Sequence, residues 1–233
     1  MSYKIYNDDA FKWIEKALKD KIKINHIITD PPYNISQKNN FSTMKHPRLG
    51  VNFGEWDKDF ELLGWIDKFS KILDKNGSFI VFCSYKFISD ICRACENSSL
   101  EVKDILIWQK KNPMPRNVNR RYVQDMEFAI WAVKKGAKWV FNKNDNKPYL
   151  RSLFSYPLVS GKEKTTHPTQ KSLALMREII QIHTNENEVI LDPFMGSGTI
   201  GVACKELKRE FIGIEKEEEF FQIAKKRIDN ILF

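Results

Sequence analysis

Asp30-Pro31-Pro32-Tyr33 follows directly on the apolar run Ile24 to Thr29, so a carboxylate, two residues without an N–H and a phenol ring meet at the end of a candidate strand. Consecutive prolines fix φ and keep Asp30 extended. The Asp30 carboxylate and the Pro31 carbonyl are then two acceptors with no competing donor between them. An amino group on an aromatic ring is a poor nucleophile because its lone pair is delocalised. Two oxygens that accept both of its N–H bonds help the nitrogen pyramidalise and aim the lone pair at an electrophile, while Tyr33 offers a flat face for stacking. The plainer reading is a rigid turn that closes a strand, which leaves the acid and the ring without a joint purpose.

Gly196-Ser197-Gly198-Thr199-Ile200-Gly201 fits G-x-G-x-x-G after the strand-like Val189 to Leu191, and Glu215 ends the next strand, Phe211 to Ile214. Alone, this pattern describes a dinucleotide site with an acid on the ribose, as in an NAD-dependent oxidoreductase. It equally describes glycines needed where a strand packs tightly on a helix. Asp192 changes the ligand that fits. An acid at that strand end is badly placed beside a pyrophosphate, which wants the positive end of a helix. It suits an ammonium group. S-adenosylmethionine carries one on its amino-acid tail, offers a ribose to Glu215 and has no phosphate.

These residues need elements to hold them. Tyr3 to Tyr6 reads as a strand, with Asn7 or Asp8 capping a helix whose apolar positions are Phe11, Ile14 and Leu18. Asp57 caps a helix bearing Leu62, Trp65, Ile66, Phe69 and Leu73, and Asn76-Gly77 stops it before the strand Ser78 to Cys83. A helix from about Lys86 to Glu96, strands Val102 to Trp108 and Glu127 to Val133, a helix capped by Ser172, and a last amphipathic helix through Phe220, Ala224, Ile228 and Ile231 complete the pattern. Strands that alternate with helices, several of them continuously apolar, predict a mostly parallel, doubly wound α/β sheet covered on both faces. If the Asp192 strand is first in such a sheet and the Glu215 strand second, the third is the N-terminal strand with Asp8 at its end. The fourth ends at Asp30. That is a circular permutation, feasible because domain termini often lie close together.

The 233 residues, 42% apolar, suffice for a single catalytic domain over 1–233. Asn34 to Lys58 reads as a long mobile loop, and Lys134 to Lys164 as a small insertion. Four cysteines with one C-x-x-C, Cys92 to Cys95, and no second pair or His cluster make neither a disulfide framework nor a metal site. No apolar run approaches the roughly 20 residues of a membrane span, and there is no cationic leader, so a cytoplasmic, membrane-free protein is expected. The net charge of +8 points to a polyanionic partner.

The two motifs, with His167-Pro168-Thr169-Gln170-Lys171-Ser172 between them, resemble the DNA amino-methyltransferases of the permuted, beta-class order. Asp30 to Tyr33 matches their catalytic tetrad, and Asp192 to Thr199 their cofactor loop. The resemblance implies a Rossmann-like sheet of seven strands, S-adenosylmethionine as cofactor and double-stranded DNA as partner. It also implies that Asp30 to Tyr33 bind the target amine and that Phe194, Gly196 and Gly198 line the methionine end of the cofactor, with Ser197, Thr199 and Asp30 also binding it. Glu215 then holds the ribose, Asp8 meets the adenine amine, and His167, Thr169, Lys171 and Ser172 approach the carboxylate. Asp in the tetrad favours adenine N6 over cytosine N4. A target inside a duplex must be flipped out. Lys110, Lys111, Arg116, Arg120 and Arg121 are the expected phosphate grips, with Lys45 and Arg48 from the long loop and target recognition in 134–164. A cognate restriction endonuclease, a second methyltransferase and a homodimer stay open as further associations. Cytosine N4, an NAD-dependent reaction and a non-catalytic DNA-binding module are the competing functions.

Overall fold

The chain begins with β1 (Tyr3–Asn7), α1 (Ala10–Lys19) and β2 (His26–Thr29), and resumes with α2 (Gly64–Ile72), β3 (Ser78–Cys83) and α3 (Ile88–Asn97). It goes on through β4 (Leu100–Lys110), β5 (Met126–Lys134), β6 (Leu153–Tyr156), α4 (Leu173–His183) and β7 (Val189–Asp192) to α5 (Thr199–Glu206), β8 (Glu210–Glu215) and α6 (Glu218–Asp229). The computed structural model describes residues 2–33, 60–115 and 118–231. The expected 34–58 loop and its Asp57 cap lie outside them, as do Lys45, Arg48 and Arg116.

All the strands join one sheet in the order β1-β8-β7-β2-β3-β5-β4-β6. Neighbours are parallel except where β5 runs against β3 and β4. Among the described residues the sheet has eight strands where seven were expected. The extra one is β6, four residues from within 134–164 that pair with the end of β4, Ile107 facing Leu153 and Lys110 facing Tyr156. The N-terminal strand pairs with the last one, β1 on β8.

Strand side chains alternate between two cores. Ile28, Ile80 and Phe82 pack with Met176, Ile179 and Ile180 of α4, Ile200 and Ala203 of α5 and Ala224 of α6. Ile27, Phe79 and Val81 pack with Ile14 of α1, Trp65 and Phe69 of α2 and Ile91 of α3. These strands therefore need apolar residues at every position, and each fully buried Ile or Phe contributes about 2 kcal/mol. Among the described residues no helix is long and apolar enough to cross a membrane.

One expected cap is corrected and one is qualified. Asp9, not Asn7 or Asp8, caps α1, accepting from Phe11 N at 2.8 Å. Ser172 holds the N-cap position of α4, as expected, but its side chain makes no capping bond; Glu163 Oε1 reaches in from the chain before it to take Leu173 N at 3.0 Å. The first turn of α2 is served by Glu61, whose Oε1 accepts from Gly64 N at 2.9 Å. Because β1, β8, β7 and β2 are parallel, their carboxyl ends share one edge of the sheet. The acids at those ends are thereby brought together, at the crevice where open α/β sheets bind ligands.

Candidate active site

Asp30 leaves β2 with both oxygens engaged. Oδ1 accepts from the Tyr33 hydroxyl, and Oδ2 lies 2.5 Å from Lys171 Nζ. Lys171 comes from the chain before α4 and is buried, and its Nζ is also 3.5 Å from Glu127 Oε2. Glu127 Oε1 in turn holds Lys110 Nζ at 3.1 Å. Burial pushes the Asp30 carboxyl up, and Lys171 works against that rise. Burial also opposes the charges on Lys171 and Glu127, but their partners outweigh it: Lys171 is raised by Asp30 and Glu127, and Glu127 is lowered by Lys171 and Lys110. Two acids and two ammonium groups thus balance within one corner of the fold.

The glycine corner starts at Asp192, the last residue of β7. Its Oδ1 accepts from Thr29 Oγ1 at 2.7 Å and from Phe194 N at 3.2 Å, and burial pushes its carboxyl up to about 7. Glu215 ends β8, accepting from Gly196 N on Oε2 and from Glu217 N on Oε1, both at 2.9 Å; burial raises it too. Gly196 and Gly198 both have positive φ, 49° and 73°. A Cβ on Gly198 would stand 2.8 Å from that of Ala224, and one on Gly196 2.9 Å from His167 Nε2. Tight packing therefore requires these glycines whatever they bind. His167 stacks edge-on against Phe220, with centroids 4.4 Å apart, and burial brings its imidazole down to about 4, so it is neutral at pH 7. Arg227 of α6 donates to Ser197 O and Oγ and to Thr199 Oγ1.

Both corners open into one cleft of about 680 Å³, within the range of small-molecule sites. It is lined by the whole Asp30 to Tyr33 tetrad, by Asp192, Phe194, Gly196, Ser197, Thr199 and Glu215, and by His167, Thr169 and Lys171. Three expected residues do not line it. Asp8 is turned to its own neighbours, Asp9 N at 2.8 Å and Lys16 Nζ at 3.3 Å, and Asp9 borders the cleft in its place. Gly198 is packed against α6, and Ser172 is buried at the start of α4. Glu127 and Phe60 line the cleft without having been expected. Phe60 meets Phe194 edge-on with centroids 5.2 Å apart. Asp9 had a visible signal as the acid next to Asp8. Glu127 had none, because only the β4–β5 register, Trp108 facing Glu127, brings it there.

The expected phosphate grips divide. Lys111, Arg120 and Arg121 are exposed. Lys110 is not available for that role: its side chain is 15% exposed and its ammonium is taken by Glu127.

The donor set fits a ligand with hydroxyls and an ammonium better than one with a pyrophosphate. Two acids, the buried Asp192 and the half-buried Glu215, flank the glycine turn where phosphates would need positive charge. A mostly parallel sheet that sets such a turn beside an acid, two prolines and a tyrosine in one cleft defines a methyltransferase with a nucleoside cofactor. The chain belongs to the family of N6 and N4 DNA methylases: residues 24–226 match its family model, described as DNA methylase. It is 35% identical over 239 residues to the type II methyltransferase M2.LlaDCHI of Lactococcus lactis subsp. cremoris, covering 95% of this chain and 87% of that one. It is 34% identical over 242 residues to the type II methyltransferase M2.DpnII of Streptococcus pneumoniae, covering 97% and 89%. The solved complex of M1.HpyAVI with S-adenosylmethionine superposes with a TM-score of 0.82 at 52% identity, covering 98% of this chain and all of that one. The chain is therefore a DNA methyltransferase, and the oxidoreductase reading of the glycine motif is set aside.

Proposed function

We propose that this DNA methyltransferase methylates N6 of an adenine flipped out of duplex DNA, with S-adenosylmethionine as methyl donor. The observation that carries the reading is the single cleft shared by the Asp30 to Tyr33 corner and the Asp192 to Glu215 corner. Asp30 and the Pro31 carbonyl accept the two amine N–H bonds, and Tyr33 stacks on the base. Asp30 need not take a proton beforehand, since the amine becomes acidic only once methylated. Asp192 faces the cofactor's ammonium, Glu215 its ribose hydroxyls, and Phe194 and the glycine turn its methionine end. When bound, the cofactor supplies an electrophilic methyl on a sulfonium. The remaining service of the chain is to hold the amine nitrogen in line with that methyl and keep water out.

The pairing of β1 with β8 supports the permuted order, in which the chain enters the sheet where an unpermuted one would continue it. A base within a duplex is out of reach, so it is extruded, and Lys111, Arg120 and Arg121 supply phosphate contacts. We place target recognition in 134–164, which meets this segment where Lys111 N donates to Tyr156 O at 3.2 Å. The type II designation of the relatives supports a cognate restriction endonuclease as a functional counterpart.

The test is methyl incorporation from labelled S-adenosylmethionine into unmethylated genomic DNA, followed by nucleoside analysis. N6-methyladenine is the expected product. N4-methylcytosine would move the target to the other amine of the family, and labelled NAD chemistry without methyl transfer would overturn the reading altogether.

A further inference from the structure

In the proposed reaction an Asp30 oxygen accepts an N–H of the target amine, yet each oxygen already accepts one hydrogen bond. Oδ1 holds the Tyr33 hydroxyl and Oδ2 the Lys171 ammonium. The Lys171 ammonium, 2.5 Å from Oδ2, competes with the amine for that oxygen and its negative charge, so the amine gains by displacing it. Lys171 is 7% exposed, and its Nζ lies 5.4 Å from the ring centres of both Tyr33 and Phe82, so water cannot readily replace the lost carboxylate. A buried ammonium stripped of its partner is strongly unfavourable.

The corner contains an acceptor in waiting. Glu127 holds Lys110 with Oε1, whereas Oε2 is buried and accepts no hydrogen bond among the described residues. That oxygen is 3.5 Å from Lys171 Nζ, and a well-formed ammonium–carboxylate bond is about 2.8 Å. A shift of less than about 1 Å closes it. A buried carboxylate oxygen with only a long ion pair and no hydrogen bond is costly in the resting protein, and such costs are kept where a second state relieves them.

We infer that Glu127 is a positioning residue: Lys171 moves from Asp30 Oδ2 to Glu127 Oε2 as the target amine arrives, which frees the Asp30 oxygen for the amine without stranding the ammonium. The inference rests on the reading of Asp30 as the amine's acceptor. It involves no covalent change, only the exchange of one hydrogen-bond acceptor for another. Lys171 thereby serves as a stopper on Asp30 in the empty site and as the counter-charge to Glu127 in the filled one. Lys110 keeps Glu127 ionised in both states.

The experiment measures kcat and KM for unmethylated genomic DNA at saturating S-adenosylmethionine, with unfolding temperature and cofactor affinity recorded for each variant. Glu127→Gln is expected to lower kcat roughly 100-fold, with cofactor affinity nearly unchanged. Glu127→Asp keeps the charge and should retain more kcat than the better size match Gln. In a Lys171→Met background the clamp is gone, so adding Glu127→Gln should cause no further loss. Wild-type kcat in Glu127→Gln, Gln outperforming Asp, or an equal loss with and without Lys171 would each overturn the inference, the last by showing a structural role. Asp30→Ala separates the two levels. Full activity there sinks the amine-acceptor reading itself, whereas an inactive Asp30→Ala beside a fully active Glu127→Gln sinks only the role of Glu127.

Discussion

Thr29 Oγ1 donates to Asp192 Oδ1 at 2.7 Å, joining the ends of β2 and β7, and both residues are buried. Each stands one step from a functional corner: Thr29 precedes Asp30, and Asp192 opens the glycine turn. The bond therefore fixes the spacing of the two halves of the cleft as well as the orientation of the carboxylate. Thr29→Val keeps the shape and removes the donor, leaving Asp192 Oδ1 with Phe194 N alone. A loss of about 1–2 kcal/mol in folding stability is expected by urea denaturation, with cofactor binding weakened about tenfold. Unchanged affinity would show that the two corners are held in register by other contacts.

Asp192 also sets a pH dependence. Burial, reinforced by the neighbouring charges of Asp30 and Glu215, raises its carboxyl from 3.8 to about 7. A raised acid destabilises the cofactor-free protein as pH climbs from the unfolded value to the folded one. This contribution is absent below 3.8, grows up to about 7 and is constant beyond. The cofactor's ammonium prefers the ionised form. Its affinity should therefore rise with pH by up to about tenfold per unit below 7 and level off above, until the ammonium itself loses its proton near pH 8. Calorimetric titration checks this, and Asp192→Asn should flatten the curve. A wild-type affinity that does not change below pH 7 would remove Asp192 from the ammonium's surroundings.

What could be read from the chain beforehand followed from the range of the interactions. Asp30 to Tyr33 and Asp192 to Thr199 are contiguous runs whose backbone geometry is set by their own prolines and glycines, so their chemistry and their strand ends could be inferred locally. The parallel, two-faced sheet was legible for the same reason: Ile27 and Ile28, or Phe79 and Ile80, face opposite cores and must both be apolar. Glu127 and Lys110 were opaque. Read alone, one is the first residue of a strand and the other one of a run of cations, and only antiparallel register makes them a pair beside Asp30. The N-cap of α1 fell on Asp9 and not Asp8 because one residue decides which acid turns back onto the helix and which turns away. Four residues of β6 in a polar stretch were too short to show a period.

Gly198 tests the packing account of the glycine turn apart from any ligand. Its φ of 73° is left-handed, and a Cβ would sit 2.8 Å from Ala224 Cβ and 3.0 Å from its Cα, on a helix that cannot yield cheaply. Gly198→Ala should cost about 2 kcal/mol or more in denaturant unfolding. Ala224→Gly in the same chain should recover only part of it, because it removes the Cβ contact but neither the close Cα nor the backbone conformation. Wild-type stability in Gly198→Ala would contradict the tight approach of α6 to the turn.

Salt dependence separates cations that meet DNA from those that do not. Arg120 and Arg121 are exposed, whereas Lys110 is spent on Glu127. Each phosphate contact releases counterions and contributes about 0.9 to the slope of log affinity against log salt. Replacing both arginines by alanine should weaken DNA binding at low salt and reduce that slope by about 2, as read by fluorescence anisotropy across a salt series. Lys110→Met should leave the slope unchanged and act instead on kcat, because its loss removes the charge that keeps Glu127 ionised and so disturbs the acceptor offered to Lys171. Equal slopes for the double alanine variant and the wild type would take the arginines out of the DNA interface, and a reduced slope in Lys110→Met would show that the Glu127 pair opens on DNA.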